Sequence, residues 1–274
     1  MRIAVVGGGG VGGYVAAKLS QIAPVDLITS SLKSLNIVQN GVQKTYHPTI
    51  LPTPPKGRIY DLIVFATKSP QLQEKASQLV SHADEHTIVL PLLNGIEPYE
   101  RLKKLFPKST VLKGAIYIIS NRTASDTIEL KGKGALVVME NCGQRCKEIA
   151  RLFEKAGIKV RLYEDIDQAI WQKYLFIAAT AALSALHGKT FGQIVRDHME
   201  EFEELLDEIV QIAKKRGISL DKEKAMELLR KSPPQAKTSL QLDIEKGIIG
   251  ELDNLIGYLA KESKSFARIY EKLR

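Results

Sequence analysis

The sequence predicts an α/β fold in two parts: a parallel sheet covered by helices on both faces, followed by an all-helical domain. Three observations point there. Short, continuous apolar runs alternate with stretches of helical spacing as far as Leu105, the pattern of strands buried on both faces. The first run, residues 2–6, closes on four consecutive glycines, Gly7 to Gly10. Beyond Glu164 no stretch has the β-branched, alternating character of a strand.

Each element follows in order. Residues 2–6 form the opening strand and 11–22 have helical spacing. Residues 25–29 read as a strand, and 32–39 as a short helix ended by Gly41. Residues 61–67 (DLIVFAT) are a buried strand before helix 71–80, and the pair repeats at 87–93 and 97–105. Residues 111–120, 127–131 and 135–140 read as neighbouring strands joined by short polar turns and extending the same sheet. Residues 148–156 form a helix and 158–163 the last strand. Helices are then expected over 166–186, 199–216, 222–231, 239–249, 252–261 and 266–273. The change of pattern sets the domains at 1–164 and 165–274.

Composition narrows the function. The chain has 274 residues, 44% hydrophobic and 26% charged, so it can bury a core and stay soluble. Its net charge of +8 is spread among interleaved acids, with no arginine-rich stripe. This argues against nucleic acid and for anionic small molecules. No apolar run reaches the roughly 18 residues of a membrane span, and 174–186 reads as a buried helix. The two cysteines, Cys142 and Cys146, read as ordinary thiols in a reducing cytoplasm. No further ligand stands near them, so no metal is assigned. The apolar helical part suits a homodimer or a monomer.

The glycines carry the first chemistry. Gly7-x-Gly9-x-x-Gly12 follows a strand and opens a helix, the context in which such a motif binds a dinucleotide pyrophosphate. Gly7 makes the tight turn, Gly9 admits the phosphates and Gly12 lets helix and strand close up. Gly8, Gly10 and Val11 complete the cradle, with helix N–H groups facing the negative charge. At the end of the second strand an acid would bind the ribose hydroxyls of NAD. This chain has Ser30, Ser31 and Lys33 instead. The set suits a 2′-phosphate and hence NADP(H), although either serine could equally cap the next element.

Reduction of a carbonyl then needs a proton donor. The five histidines have no compelling partner in the sequence, which turns attention to lysine. Lys68 follows the strand 61–67, at the edge where ligands bind open α/β sheets. Asn94-Gly95 follows the next strand at the equivalent place. Lys173 lies in an apolar helix, IWQKYLFIAATAAL, where it either serves a purpose or snorkels to solvent. Ser239 and Asp243 share a helix face. Glu251 opens a helix, a position that the helix dipole alone would favour.

Taken together, these residues resemble the ketopantoate reductase family from end to end. The resemblance rests on GGGGVG at 7–12, ATKSPQ at 66–71, LLNGIE at 92–97, Trp-x-Lys at 171–173, and S-x-x-x-D with Glu-x-x-N at 239–254. It implies a Rossmann-type domain and an all-α C-terminal domain of the 6-phosphogluconate dehydrogenase C-terminal-like kind. It also implies NADPH-dependent reduction of 2-dehydropantoate to pantoate, on the route to coenzyme A. On this resemblance Lys173 is the proton donor and Glu251 orients it or a substrate hydroxyl. Ser239 holds the substrate carboxylate and Asp243 supports it. Asn94 meets the cofactor ribose and the reacting end, and Lys68 and Gln71 lie by the nicotinamide ribose. Burial among Trp171, Tyr174 and Phe176 would lower the pKa of Lys173, while Glu251 would oppose that shift.

One departure stands out. The family carries two asparagines after the lysine, and this chain has Ile177 and Ala181 there. Thr180 or Ser184 would compensate on a rotated helix. Otherwise the substrate is a less polar 2-oxo acid, or the chain is a non-catalytic NADP-binding sensor.

Overall fold

Ile3–Val6 (β1) is buried along its whole length, and its residues divide between two cores. Ile3 and Val5 join one apolar cluster, Ala4 and Val6 another, as the two-residue period of a strand requires. The computed structural model describes residues 1–248 and 250–274. They fall into two units, Met1–Leu93 with Pro98–Ile166 and Asn94–Glu97 with Asp167–Arg274.

After β1 come α1 (Gly10–Leu19), β2 (Val25–Ile28), β3 (Leu35–Gln39), β4 (Val42–Tyr46) and β5 (Thr49–Leu51). Then follow β6 (Leu62–Phe65), α2 (Leu72–Leu79), β7 (Ile88–Pro91), α3 (Glu97–Leu105) and β8 (Thr110–Val111). The unit closes with β9 (Gly114–Ala124), β10 (Thr127–Glu140), α4 (Gln144–Lys155) and β11 (Lys159–Tyr163). One sheet has the order β5-β2-β1-β6-β7-β8, parallel throughout, with Ile3 in register with both Val25 and Leu62. The glycine turn therefore emerges at the carboxyl edge of a central strand, where ligands bind such sheets. Gly12 has no room for a side chain, because a Cβ there would collide with the Gly7 carbonyl.

Four expectations for this unit change. The stretch after residue 111 does not extend the parallel sheet. It builds a second sheet, β11-β10-β3-β4, with β9 on β10. The predicted strands 127–131 and 135–140 are one strand, β10, whose pairing with β9 shifts register between Lys131 and Leu136. A bulge there absorbs the Gly-Lys-Gly read as a turn. The predicted helix 32–39 is instead β3, hairpinned to β4. Asn40 and Gly41 both have positive φ, 51° and 77°, the tight hairpin turn that Asn-Gly favours. Finally, Cys142 and Cys146 are not free thiols but a disulfide. Gly143, at φ 86°, turns the chain just before α4 and brings the two Cα atoms to 5.3 Å, within bonding range. Cysteine usage therefore no longer argues for a reducing compartment.

Among its described residues the second unit is helical: α5 (Asp167–His187), α6 (Phe191–Asp197), α7 (Met199–Lys214), α8 (Lys222–Lys231) and α9 (Ser239–Ile244), then α10 (Tyr258–Ala260) and α11 (Lys264–Leu273). Helix α6 is absent from the sequence expectation, although Thr190 and Gln193 form its capping box, a T-x-x-Q signal. The helix expected over 239–249 ends at Ile244, and its last residue, 249, lies outside the described residues. By length and composition α5 could cross a membrane, yet 56% of its most apolar window is buried. It packs against α7, α8, α9 and α11 as the centre of this unit's core.

Gly12→Ala is expected to cost about 1–3 kcal/mol by overpacking, read as a lower denaturant midpoint. At Gly9 a Cβ would meet no atom within 4 Å, so this position should accept alanine within about 1 kcal/mol.

Candidate active site

The second unit holds a connected polar group around Lys173, in the second turn of α5. A lysine here is flanked by Trp171 and Tyr174, 3% and 1% exposed, so its ammonium needs partners. Lys173 Nζ donates to Asn94 Oδ1 at 3.1 Å. Asn94 Nδ2 donates to Glu251 Oε2 at 3.4 Å. Asn254 Nδ2 donates to the Asn94 carbonyl, fixing that backbone. Gly95, at φ 98°, could carry no side chain without meeting the Asn254 amide. The lysine, Asn94 and Glu251 singled out in the sequence are thus brought together, 79 and 157 residues apart along the chain.

Burial dominates the electrostatics. It pushes the Lys173 ammonium down from the usual 10.5 to about 8, against the opposing pull of Glu251. A group with that value is largely protonated at neutral pH yet gives up its proton readily. Burial likewise holds the Tyr174 phenol well above its usual value. Tyr174 therefore stays a donor, to the Leu255 carbonyl at 2.7 Å.

The supporting segment differs from expectation. Residues 252–261 are not one regular helix, because Asp253–Gly257 is a π turn leading into α10. Such turns insert where a site needs a side chain re-aimed, and Asn254, 1% exposed, lies in this one. Apolar spacing cannot tell a π turn from an α turn. The Glu-x-x-N spacing was visible, but not the role of its asparagine.

In the first unit, the glycine turn has the character of a phosphate cradle. Gly9 faces open space, while Gly8 is packed against Thr29, Ser31 and Leu32, and Gly10 against Ser120. Val11 is half-buried behind the turn. Two buried hydroxyls, Thr67 Oγ1 and Ser120 Oγ, have no hydrogen-bond partner among the described residues. Gly7 packs on the backbone of Ala66 and Thr67, so both hydroxyls belong to segments touching the glycine turn. An open backbone with unsatisfied donors beside it fits a pyrophosphate.

Ser30, Ser31 and Lys33 are exposed after β2, with Ser31 Oγ 2.9 Å from Thr29 Oγ1. Arg122, from β9, is marked by no motif in the sequence. Its guanidinium donates to the carbonyls of Ser31 and Ser125, adding a second cation to this loop. Arg122 lies 91 residues from Ser31, beyond any local motif.

Other expected residues are less concentrated. Lys68 and Gln71 are exposed just after β6, with the Gln71 N–H donating to the Lys68 carbonyl at 3.0 Å. Ser239 is exposed at the start of α9. Asp243 packs closely on Gly250. Thr180 and Ser184 are already engaged within this unit. Both are buried, Thr180 donating to the Phe176 carbonyl at 2.6 Å and Ser184 bonded to Thr238 Oγ1 at 2.6 Å. Ile177 is half-buried and Ala181 2% exposed, both within the apolar packing of this unit. The histidines are also corrected. His187 and His198 both meet Glu201, at 2.8 and 3.3 Å, and His82 Nδ1 lies 2.7 Å from the Arg58 carbonyl.

The chain matches the family pattern "Ketopantoate reductase PanE/ApbA" over residues 3–141 and its C-terminal counterpart over 165–268. It is 27% identical over 281 residues to the uncharacterized oxidoreductase YkpB of Bacillus subtilis, covering 96% of this chain and 92% of that protein. It is 27% identical over 250 residues to 2-dehydropantoate 2-reductase of Mycobacterium tuberculosis, covering 88% and 83%. Its fold is similar to that of D-mandelate dehydrogenase solved with NADH and anilino(oxo)acetate, with TM-score 0.88, 20% identity and coverage of 100% and 97%.

The depressed Lys173 value has a stability signature. Between about 8 and 10.5 the unfolded chain binds the extra proton, so stability rises with pH across that window. Below it the penalty is full, roughly 3 kcal/mol. Lys173→Met should therefore be the more stable protein at pH 7, and its advantage should shrink above pH 10, measured by chemical denaturation at both values.

Proposed function

Because the chain belongs to the ketopantoate reductase family, we propose that it reduces a small 2-oxo acid with NADPH, and that this acid is 2-dehydropantoate, giving pantoate. The observation that carries the reading is the Lys173–Asn94–Glu251 group, with its lysine brought to about 8. NADPH, when bound, supplies the hydride to the carbonyl carbon. Gly7 to Gly12 hold its pyrophosphate, and Ser30, Ser31 and Lys33 receive the 2′-phosphate, with Arg122 bracing their loop. Lys68 and Gln71 serve the nicotinamide ribose.

The Lys173 ammonium gives its proton to the carbonyl oxygen as negative charge builds there, and solvent later restores it. Asn94 aims the ammonium by accepting a hydrogen bond from it. Glu251 favours the protonated form between turnovers. Ser239 receives the substrate carboxylate, with Asp243 in support. The reduction should slow as pH rises through about 8, because the donor form is lost.

A second reading has its own support. Ile177 and Ala181 present no hydrogen-bonding group, and Thr180 and Ser184 already have partners. A site meant for a substrate hydroxyl loses affinity when its polar partners are missing. A less polar 2-oxo acid would not incur that loss, and D-mandelate dehydrogenase shares the fold.

The test follows NADPH absorbance with a panel of 2-oxo acids. The leading reading expects the highest kcat/KM with 2-dehydropantoate; a higher value for an apolar acid selects the second. Lys173→Ala should lose about 10²–10⁴ in rate while NADPH still binds. Full activity in that variant would remove the proton-donor role. Tight NADPH binding without turnover on any acid would make the protein a sensor instead. Lys33→Ala and Arg122→Ala should each weaken NADPH about tenfold and NADH far less, measured by fluorescence titration; equal weakening would remove the 2′-phosphate assignment.

A further inference from the structure

The far end of α5 carries a second cluster, unrelated to Lys173. His187 is the last residue of α5, and Gly188, at φ 64°, ends the helix there. His198 joins α6 to α7, its N–H donating to the Ile194 carbonyl and its own carbonyl accepting from Phe202. Glu201 follows three residues later, in the first turn of α7. Both ring nitrogens meet one carboxylate oxygen: His187 Nε2 at 2.8 Å and His198 Nδ1 at 3.3 Å from Glu201 Oε2. The rings stack with centroids 4.0 Å apart and planes 18° apart. All three ligand atoms lie within 4.8 Å of one another.

We propose that His187, His198 and Glu201 bind a divalent transition-metal ion of the zinc type. Two imidazoles and a carboxylate are a known three-ligand set for zinc, with the fourth position left to water. Bonds of about 2.0–2.2 Å in a tetrahedron separate ligand atoms by about 3.3–3.5 Å. The spacings here approach that, so small side-chain rotations would admit the ion. Nitrogen ligands select zinc, cobalt, nickel or copper over magnesium or calcium, which prefer oxygen. The side chains are 28%, 22% and 37% exposed, leaving an entry path and room for water.

All three ligands lie at helix ends, and the ion would tie the end of α5 to the start of α7. Fourteen residues separate His187 from Lys173, about 21 Å along the helix, so the ion would take no part in proton transfer from Lys173.

The experiment uses the untagged full chain, freed of metal by chelation, titrated with Zn²⁺ by calorimetry and with Co²⁺ by visible absorption. One saturable Zn²⁺ per chain, tetrahedral Co²⁺ bands and a higher melting temperature with Zn²⁺ are expected. His198→Ala and Glu201→Ala should each weaken Zn²⁺ about tenfold or more and abolish the Co²⁺ bands, whereas His47→Ala, in the other unit, should change neither. Absence of saturable binding, an unchanged melting temperature in wild type, or equal binding in His198→Ala would overturn the proposal. Were a variant to fail to fold, the wild-type melting shift would still decide.

Discussion

The structure of the helical unit turns on one constraint: an ammonium sits in the wall of an apolar helix and must be satisfied there. Burial pushes the Lys173 ammonium down to about 8, and transfer of a bare ammonium into apolar surroundings would be prohibitive. Asn94 answers that need with its side-chain carbonyl. Asn94 must in turn be held, and the Asn254 amide holds its backbone. Asn254 is aimed by a π turn, and Tyr174 anchors that turn through the Leu255 carbonyl. Each contact exists because the one before it needs a partner. This explains why Asn94–Glu97 groups with the helices and not with the strand preceding it in the chain.

The first unit is governed by a different economy, that of space. Gly7 lies on Ala66 and Thr67, Gly12 on Gly7, and Gly10 on Ser120. A side chain at any of these would part the turn from its neighbours. Gly9 alone faces open volume, so the turn is tight on the protein side and bare on the other. A backbone with unsatisfied N–H groups facing outward is what a phosphate requires. The unpartnered hydroxyls of Thr67 and Ser120 extend the same polarity.

Much of this was legible in the sequence, and what was not has physical reasons. Apolar runs such as DLIVFAT, short and set between helical stretches, read as strands of a covered sheet. Lys173 stood out because a charge in an Ala-rich helix demands explanation. Residues 32–39 carry Leu32 and Leu35 at a spacing that mimics a helical face, yet they lead into and form β3. The deciding signal lay just outside it, in Asn40-Gly41, whose turn geometry favours a hairpin. Arg122 was beyond reach, because its relation to Ser31 exists only once β9 is folded onto its sheet. The π turn was equally hidden, since an inserted residue leaves the apolar spacing nearly intact. The disulfide depended on the local turn at Gly143, which spacing between cysteines does not encode.

Helix α5 shows how packing makes such chemistry possible. Between Lys173 and His187 it carries Ala178, Ala179, Ala181, Ala182 and Ala185, all buried. Small side chains let α7, α8 and α9 approach closely, and a helix enclosed on several sides has little freedom to tilt or roll. Polar groups that must be held within a fraction of an ångström are best mounted on such an element. Ile177 and Ala181 fit the same logic. Both add apolar packing to the helix that mounts Lys173. Packing at these positions and the setting of Lys173 are therefore coupled through one helix, and a change made at either will be felt by the other.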